Sequence, residues 1–496
     1  MITSCASPHR SLLNARKWTG QLTGSQKFSP INISGRAISK VAKNSTPEQS
    51  FEWQRQPRAQ ALVQELVAAF CVKSAAARRL GERMLHETGT RFVDWVDFVA
   101  PPRQELFCDA LVEAGFTVGD EDGIPVAKHP AGIFPTIRLD GRRGWGLGVK
   151  VESVADFLNV SGFGDARTKG APYAALRMAS VARESDAEFW VVERHGQLGF
   201  TPRDVSAAEA TAVLHHAEAF RCRERRFERD EDGIQHALKL ITAAVADLGE
   251  ARACDLFFGA ERAYWESRNR AGRLQKARQD RLGLGWGNHD HHTYRSSREH
   301  FAGLMRVFEV GGLLCRERFY AGIEAGWGAQ VMEHSECRIV VFADVDLSPE
   351  EVSIDFSHAG LEPRSSLGTI GLWCKLHGEA LLQAGMHHLE AQFDFAAARA
   401  QLQREGVMTM EPFTDFPHLR QAFTQGEMWP IEPKRLAAAR AAGFVTDEQA
   451  ESFGEHGALG SHLETLERND GYKGFNRTGI SQIIRRTDPR TKTVAA

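Results

Sequence analysis

A strand, an amphipathic helix and three further strands follow one another more than once along this chain. A chain that repeats βαβββ has few folds open to it. In the clearest copy, "DHHTYRS" alternates as a strand and "REHFAGLMRVFEVGG" has helical periodicity, ending in a Gly311-Gly312 stop. "LLCRERFYAG", "GWGAQVMEH" and "RIVVFADVDL" then alternate as three strands. An earlier copy runs "FVDWVDFVAP", helical "RQELFCDALVEAGF", then "GIPVAKHP", "IFPTIRLD" and "GWGLGVKVES". A looser copy starts at "MHHLEAQFDF", continues through "AAARAQLQREG", "VMTMEPFTD" and "HLRQAFTQGEM", and closes on "HLETLER" after a helical insertion at 434–457. One such unit makes a small curved sheet with an open concave face, and two pair into a half-barrel. The expectation is an α+β fold of repeated βαβββ modules forming a half-barrel, with helical insertions. Three separate ferredoxin-like pieces with no shared site would show the same periodicity.

Helical spacing also fills 51–90 and 205–280. The expected domains are a disordered or transit-like tail (1–50), an N-terminal α+β domain (51–245), a helical linker (246–285) and a two-module domain (286–496). The N-terminal domain holds one βαβββ-like module. Its first strand, "FVDWVDFVA", has no histidine, so that module is read as metal-free. The first 47 residues contain no Asp or Glu but carry Arg10, Arg16, Lys17, Lys27, Arg36, Lys40 and Lys43 among Ser and Thr. That is the composition of an organelle transit peptide. A net charge of −3 gives no footprint for nucleic acid or anionic membrane, and apolar runs such as "ALVQELVAAFCV" are too short to span a bilayer. The 8 cysteines form no CxxC pair, which points to reduced thiols in an intracellular compartment.

The chemistry concentrates in "WGNHDHHTYRSSREHF", residues 286–301. On a strand, residues two apart share a face, so His291, Thr293 and Arg295 point one way and His292 and Tyr294 the other. In the later module His388, Glu390 and Gln392 share a face opposite the apolar Leu389, Ala391 and Phe393. His388 is therefore the candidate of the His387–His388 pair. On the last strand His462, Glu464 and Leu466 lie together, with Glu427 and Glu467 as rival carboxylates. Two histidines and a carboxylate on one face of a metal leave about three open positions, which suits Fe(II), a chelating substrate and O₂. Arg295 on the same face could clamp a substrate carboxylate through its guanidinium fork. A histidine-rich stretch can equally be a polar loop. An HxH reading of His289 and His291 in a metal-dependent hydrolase barrel fails on length, because eight βα units need about 250 residues and fewer follow His291.

"DHHTYRSSREHFAGLMRVFEV", "RERFYAGIEAGWGAQVMEH" and "RIVVFADVDL" together resemble the 2-oxoadipate dioxygenase/decarboxylase (hydroxyglutarate synthase) family, a branch of the vicinal-oxygen-chelate superfamily. The resemblance covers residues 286–350 and 370–490, including the closing "GYKGFNRTGISQIIRRTDPR". It implies His291, four residues before Arg295, as the first metal ligand, His388 in "MHHLE" as the second and Glu464 in "GSHLETLERNDG" as the third. His387 stands where the family has Asn. Residues 51–245 have no counterpart in common family members. The resemblance implies a vicinal-oxygen-chelate-like fold and an Fe(II) enzyme. That enzyme would convert a 2-oxo acid such as 2-oxoadipate, with O₂, to a hydroxy acid such as 2-hydroxyglutarate plus CO₂. Arg295 would serve as the catalytic, substrate-binding arginine, with Arg420 and Arg477 as further carboxylate contacts. The alternatives are a glyoxalase-like lyase or isomerase using Zn²⁺, Ni²⁺ or Mn²⁺, and a homologue that binds a ligand without turnover. Partners are then small molecules, with no nucleic acid and no membrane.

Overall fold

The computed structural model describes residues 52–102, 108–140, 143–476 and 488–491, and it bears out the α+β class with repeated βαβββ modules. The segment read as a transit-like tail, residues 1–50, lies outside the described residues. Among the described residues no helix is long and apolar enough to cross a membrane.

The N-terminal sheet contains a module that the sequence reading missed. Its first module is β1 (Val96–Ala100), the helix Cys108–Glu113, β2 (Thr117–Glu121), β3 (Ile124–Lys128) and β4 (Thr136–Arg138). A second follows: β5 (Trp145–Lys150), the helix Val154–Val160, β6 (Thr168–Lys169), β7 (Leu176–Glu184) and β8 (Ala187–Arg194). The strand order is β2-β3-β4-β1-β5-β8-β7-β6. "GWGLGVKVES" therefore opens a new module; it does not close the first one. The cause is local. β5 sits at the sheet centre, buried on both faces, so its sequence lacks a polar side. Its helix has 7 residues, under two turns, too few to display a 3.6-residue period. Gly148 on β5 is needed for packing, because a Cβ there would collide with the Phe98 ring of β1.

The C-terminal sheet repeats the plan. One module is β9 (His289–Arg295), the helix Phe301–Val310, β10 (Leu314–Tyr320), β11 (Trp327–His334) and β12 (Ile339–Asp346). The other is β13 (His388–Gln392), the helix Phe395–Arg404, β14 (Thr414–Phe416), β15 (Leu419–Phe423), β16 (Glu427–Trp429) and β17 (Ala458–Arg468). Helices Pro433–Ala441 and Asp447–His456 fill the expected insertion. The order is β10-β11-β12-β9-β13-β17-β15-β14, with β16 pairing β17 off this path. Each opening strand lies parallel to a strand of its own module, β9 with β12 and β13 with β17, while β9 and β13 run antiparallel to each other. The two opening strands thus meet at the centre of the sheet.

Helices Ala207–Arg221, Asp230–Leu248, Glu250–Ser267 and Arg270–Asp280 occupy the stretch expected to be helical. They cover the face opposite the site. Tyr294, Leu389 and Leu463 are fully buried there with Phe258, Phe308 and Trp373. Full burial of each such side chain is worth about 1.5–3 kcal/mol. The Tyr294 hydroxyl donates to Glu261 (3.3 Å), which is also held by Arg223 (2.9 Å) and Arg225 (2.6 Å). Asp394 ends β13 and caps the next helix, accepting from the Ala397 amide at 2.9 Å, which stops the strand two residues past Gln392.

Candidate metal centre

The site forms where β9, β13 and β17 lie side by side. In the β9–β13 pair His388 stands opposite Thr293 and Glu390 opposite His291. In the β13–β17 pair His388 stands beside His462 and Glu390 beside Glu464. With side chains alternating, this register puts His291, His388, Glu390 and Glu464 on one face. The candidate ligand atoms of His291, His388 and Glu464 all lie within 4.8 Å of one another. His388 Nε2 is 3.0 Å from Glu464 Oε2 and 2.8 Å from the Thr293 hydroxyl. His388 Nδ1 is buried with no hydrogen-bond partner among the described residues.

Of the glutamates left open by the sequence, Glu464 reaches the histidines. Glu427 accepts from the Arg270 amide at 2.6 Å, outside the centre. Glu467 accepts from the Phe395 amide at 2.9 Å on the other face of β17. Glu390 is a participant that the sequence reading did not single out. It is fully buried, its Oε2 contacts His291 Nδ1, and Gln421 Nε2 donates both to Glu390 Oε1 (2.9 Å) and to Glu464 Oε1 (3.0 Å). Its signal was present in the shared face of His388 and Glu390. Gln421 carried none, because its inward placement depends on how β15 pairs with β17.

A β-bulge completes the arrangement. Glu390 pairs with His291 but Ala391 pairs with His289, so Asp290 is an extra residue on β9. The bulge brings Asp290 Oδ1 to 3.4 Å from His291 Nδ1. Asp290 is held by Arg468 through two bonds of 3.0 and 3.1 Å. Burial alone would raise the Asp290 carboxyl, but Arg468 overrides it and keeps Asp290 well below the usual carboxylate range. Burial and then the neighbouring Glu390 push Glu464 well above its ordinary value. Burial, followed by the charge of His291, holds His388 well below its ordinary value and hence neutral. For His291 burial lowers the pKa, but Glu390 and Asp290 outweigh it and the net shift is upward.

The three groups open into a cavity of about 70 Å³, with Arg295, Asp344, Phe342, Phe423 and Phe475 on its walls. That is room for roughly five waters or a small organic acid. Arg295 is buried, and its Nε and Nη1 find no hydrogen-bond partner among the described residues. Its guanidinium lies 5.6 Å from the Trp373 ring, and Asp344 stands opposite it across β9 and β12. Burial lowers Arg295 to about 10 and raises Asp344 to about 7. Arg420 is placed elsewhere. On β15 its neighbour Gln421 points inward, so Arg420 points out, half exposed beside Asp415 (3.2 Å). Arg477 lies outside the described residues.

No family model matches the chain, and no curated protein matches it. The resemblance to the 2-oxoadipate family therefore rests on the quoted segments alone. Solved structures that match the chain include a triple mutant of 4-hydroxymandelate synthase from Streptomyces coelicolor, at 11% identity and a TM-score of 0.28, covering 81% of this chain and 99% of that one. A methylmalonyl-CoA epimerase from Mycobacterium tuberculosis matches at 13% identity and a TM-score of 0.21, covering 37% of this chain and 88% of that one. A fusion of a xylose isomerase-like TIM barrel with 4-hydroxyphenylpyruvate dioxygenase matches at 10% identity and a TM-score of 0.22, covering 87% of this chain and 58% of that one.

Proposed function

We propose that the chain is a non-haem Fe(II) dioxygenase/decarboxylase that takes a 2-oxo acid of the 2-oxoadipate kind, with O₂, to a hydroxy acid of the 2-hydroxyglutarate kind plus CO₂. The observation that carries this reading is the convergence of His291, His388 and Glu464 within 4.8 Å at the foot of a cavity walled by Arg295, whose Nε and Nη1 have no hydrogen-bond partner among the described residues. The donor set fits the metal. Two imidazoles and a carboxylate are borderline ligands, His388 is held neutral, and a dication offsets the two buried carboxylates Glu390 and Glu464. When bound, Fe(II) supplies the oxygen activation that oxidative decarboxylation requires.

The chain's own groups do the rest. His291, His388 and Glu464 would hold the metal beside the cavity. Gln421 fixes the rotamers of Glu390 and Glu464, as partners of metal ligands commonly do. A buried guanidinium with two idle N–H groups costs several kcal/mol unless an anion meets it, so Arg295 is the group to receive a substrate carboxylate. Phe342, Phe423 and Phe475 keep bulk water away from the reacting atoms. The test is anaerobic purification, metal analysis, and measurement of O₂ uptake and CO₂ release from 2-oxoadipate and a panel of 2-oxo acids. No O₂ uptake by the iron-loaded protein with any of them sinks the proposal.

One observation favours a second reading. Glu390 contacts His291 and shares the Gln421 amide with Glu464, which sets a further carboxylate beside the three candidate ligands, as a glyoxalase-like lyase or isomerase on Zn²⁺, Ni²⁺ or Mn²⁺ would use. That enzyme would turn over without O₂ and would lose activity in Glu390→Gln.

A further inference from the structure

Away from this centre, the helix Glu250–Ser267 and the turn joining β11 to β12 bring together Cys254, His334 and Cys337. Their ligand atoms lie within 4.8 Å of one another. Cys254 and His334 are buried at 1% and 4% exposure. The turn delivers His334 and Cys337 from one strand end at a spacing of two intervening residues, the spacing by which short turns present paired zinc ligands. The Cys337 amide points at His334 Nδ1 (3.3 Å), and the Cys337 thiol donates to the Ala251 carbonyl (3.0 Å), which aims its sulfur at the helix that carries Cys254. His334 Nε2 is buried and has no hydrogen-bond partner among the described residues. It lies over Gly312, where an added Cβ would be 2.9 Å from His334 Nε2 and 3.1 Å from Glu250 Oε2. Cys337 also lines a second cavity, of about 410 Å³, shared with Arg262 and Asp255.

We infer that Cys254, His334 and Cys337 form a second metal site, for a thiophilic divalent cation of the zinc class, with its fourth position open to the second cavity. Two thiolates neutralise Zn²⁺ when both thiols ionise, and a set of two sulfurs and an imidazole favours zinc over hard cations such as magnesium. Water, or Glu250 after a rotamer change, can take the fourth position. The ligands come from a helix and a turn about eighty residues apart in sequence. The scattered cysteines therefore show no CxxC signature even though three dimensions pair two of them with a histidine.

The test uses the full chain and Co²⁺ as the probe. A thiolate–Co²⁺ charge-transfer band in the near ultraviolet, with tetrahedral visible bands, reports sulfur ligation, and the histidine–glutamate centre cannot produce it. The band is expected in the parent and undiminished in His388→Ala, which removes a ligand from the other centre only. It is expected to fall by about half in Cys254→Ser and to vanish in a Cys254→Ser, Cys337→Ser double variant. A second readout needs no substitution: titrating two thiols of the zinc-loaded parent with a mercurial should release one zinc. A parent that shows no charge-transfer band, or that releases no zinc when those thiols react, overturns the site. So does a Cys254–Cys337 disulfide in protein purified without reductant that persists after zinc is added under mild reduction.

Discussion

Glu390 and Glu464 stand in register on the parallel strands β13 and β17, both buried and both bonded by one Gln421 amide. Two carboxylates in one dry pocket repel unless a proton or a cation joins them. The raised Glu464 makes this a stability relation. An acid whose folded pKa lies above its unfolded value binds more protons when folded, so stability falls as pH rises from the ordinary glutamate value through the folded one. The melting temperature in chelator should therefore drop with rising pH over that interval. Saturating metal should remove the slope, because the bound cation replaces the proton. Parallel slopes with and without metal would take Glu464 out of the centre.

Gln421→Ala should weaken metal binding without removing any ligand. Losing a group that orients a ligand costs about 10–100-fold in affinity, so the metal Kd by chelator competition should rise by that factor. Arg420→Ala on the neighbouring position, with its side chain outside the cavity, should leave the Kd unchanged.

Arg295→Lys should keep the metal and lose turnover of a dicarboxylic 2-oxo acid. The lysine head cannot match both carboxylate oxygens. At equal metal occupancy kcat/KM should fall by about 2–4 kcal/mol, the scale for leaving a buried charge poorly paired. Equal O₂ uptake by parent and variant would exclude Arg295 from substrate binding.

His300 supplies a pH test outside the His291, His388 and Glu464 cluster. Burial would lower it, but Glu379 at 3.3 Å, together with Glu231 and Asp230, lifts it to about 9. A histidine raised in the folded state contributes stability that is full below its unfolded value near 6.5 and is lost as pH rises through about 9. Urea midpoints of the parent should decline across that window, while those of His300→Gln should be flatter there.

Glu261→Ala should be among the costliest substitutions in the helical layer. It would leave Arg223 and Arg225 buried without their shared carboxylate, at about 3–5 kcal/mol in urea unfolding. Metal bound per folded chain should stay the same, since Glu261 meets only the core face of β9 through Tyr294.

The sequence by itself determined which side chains could share a face. The period of two along "HDHHTYR", "HLEAQ" and "HLETLER" puts His291 with Arg295, His388 with Glu390 and His462 with Glu464 whatever the strands pair with. It also marked the helical layer and the core position Leu389. Tertiary structure alone decided which strands became neighbours and in what register, and so brought His291 opposite Glu390 and set Glu464, not Glu427 or Glu467, beside the two histidines. It decided the bulge at Asp290, which overrides the alternation there, and the outward turn of Arg420. It decided the meeting of Cys254 with His334 and Cys337. It also made Trp145–Lys150 the opening strand of a further module. The physical reason is common to all of these. Periodicity is a property of the local backbone, whereas register, bulges and strand order are set by pairing between segments up to hundreds of residues apart, and no residue's identity encodes its partner.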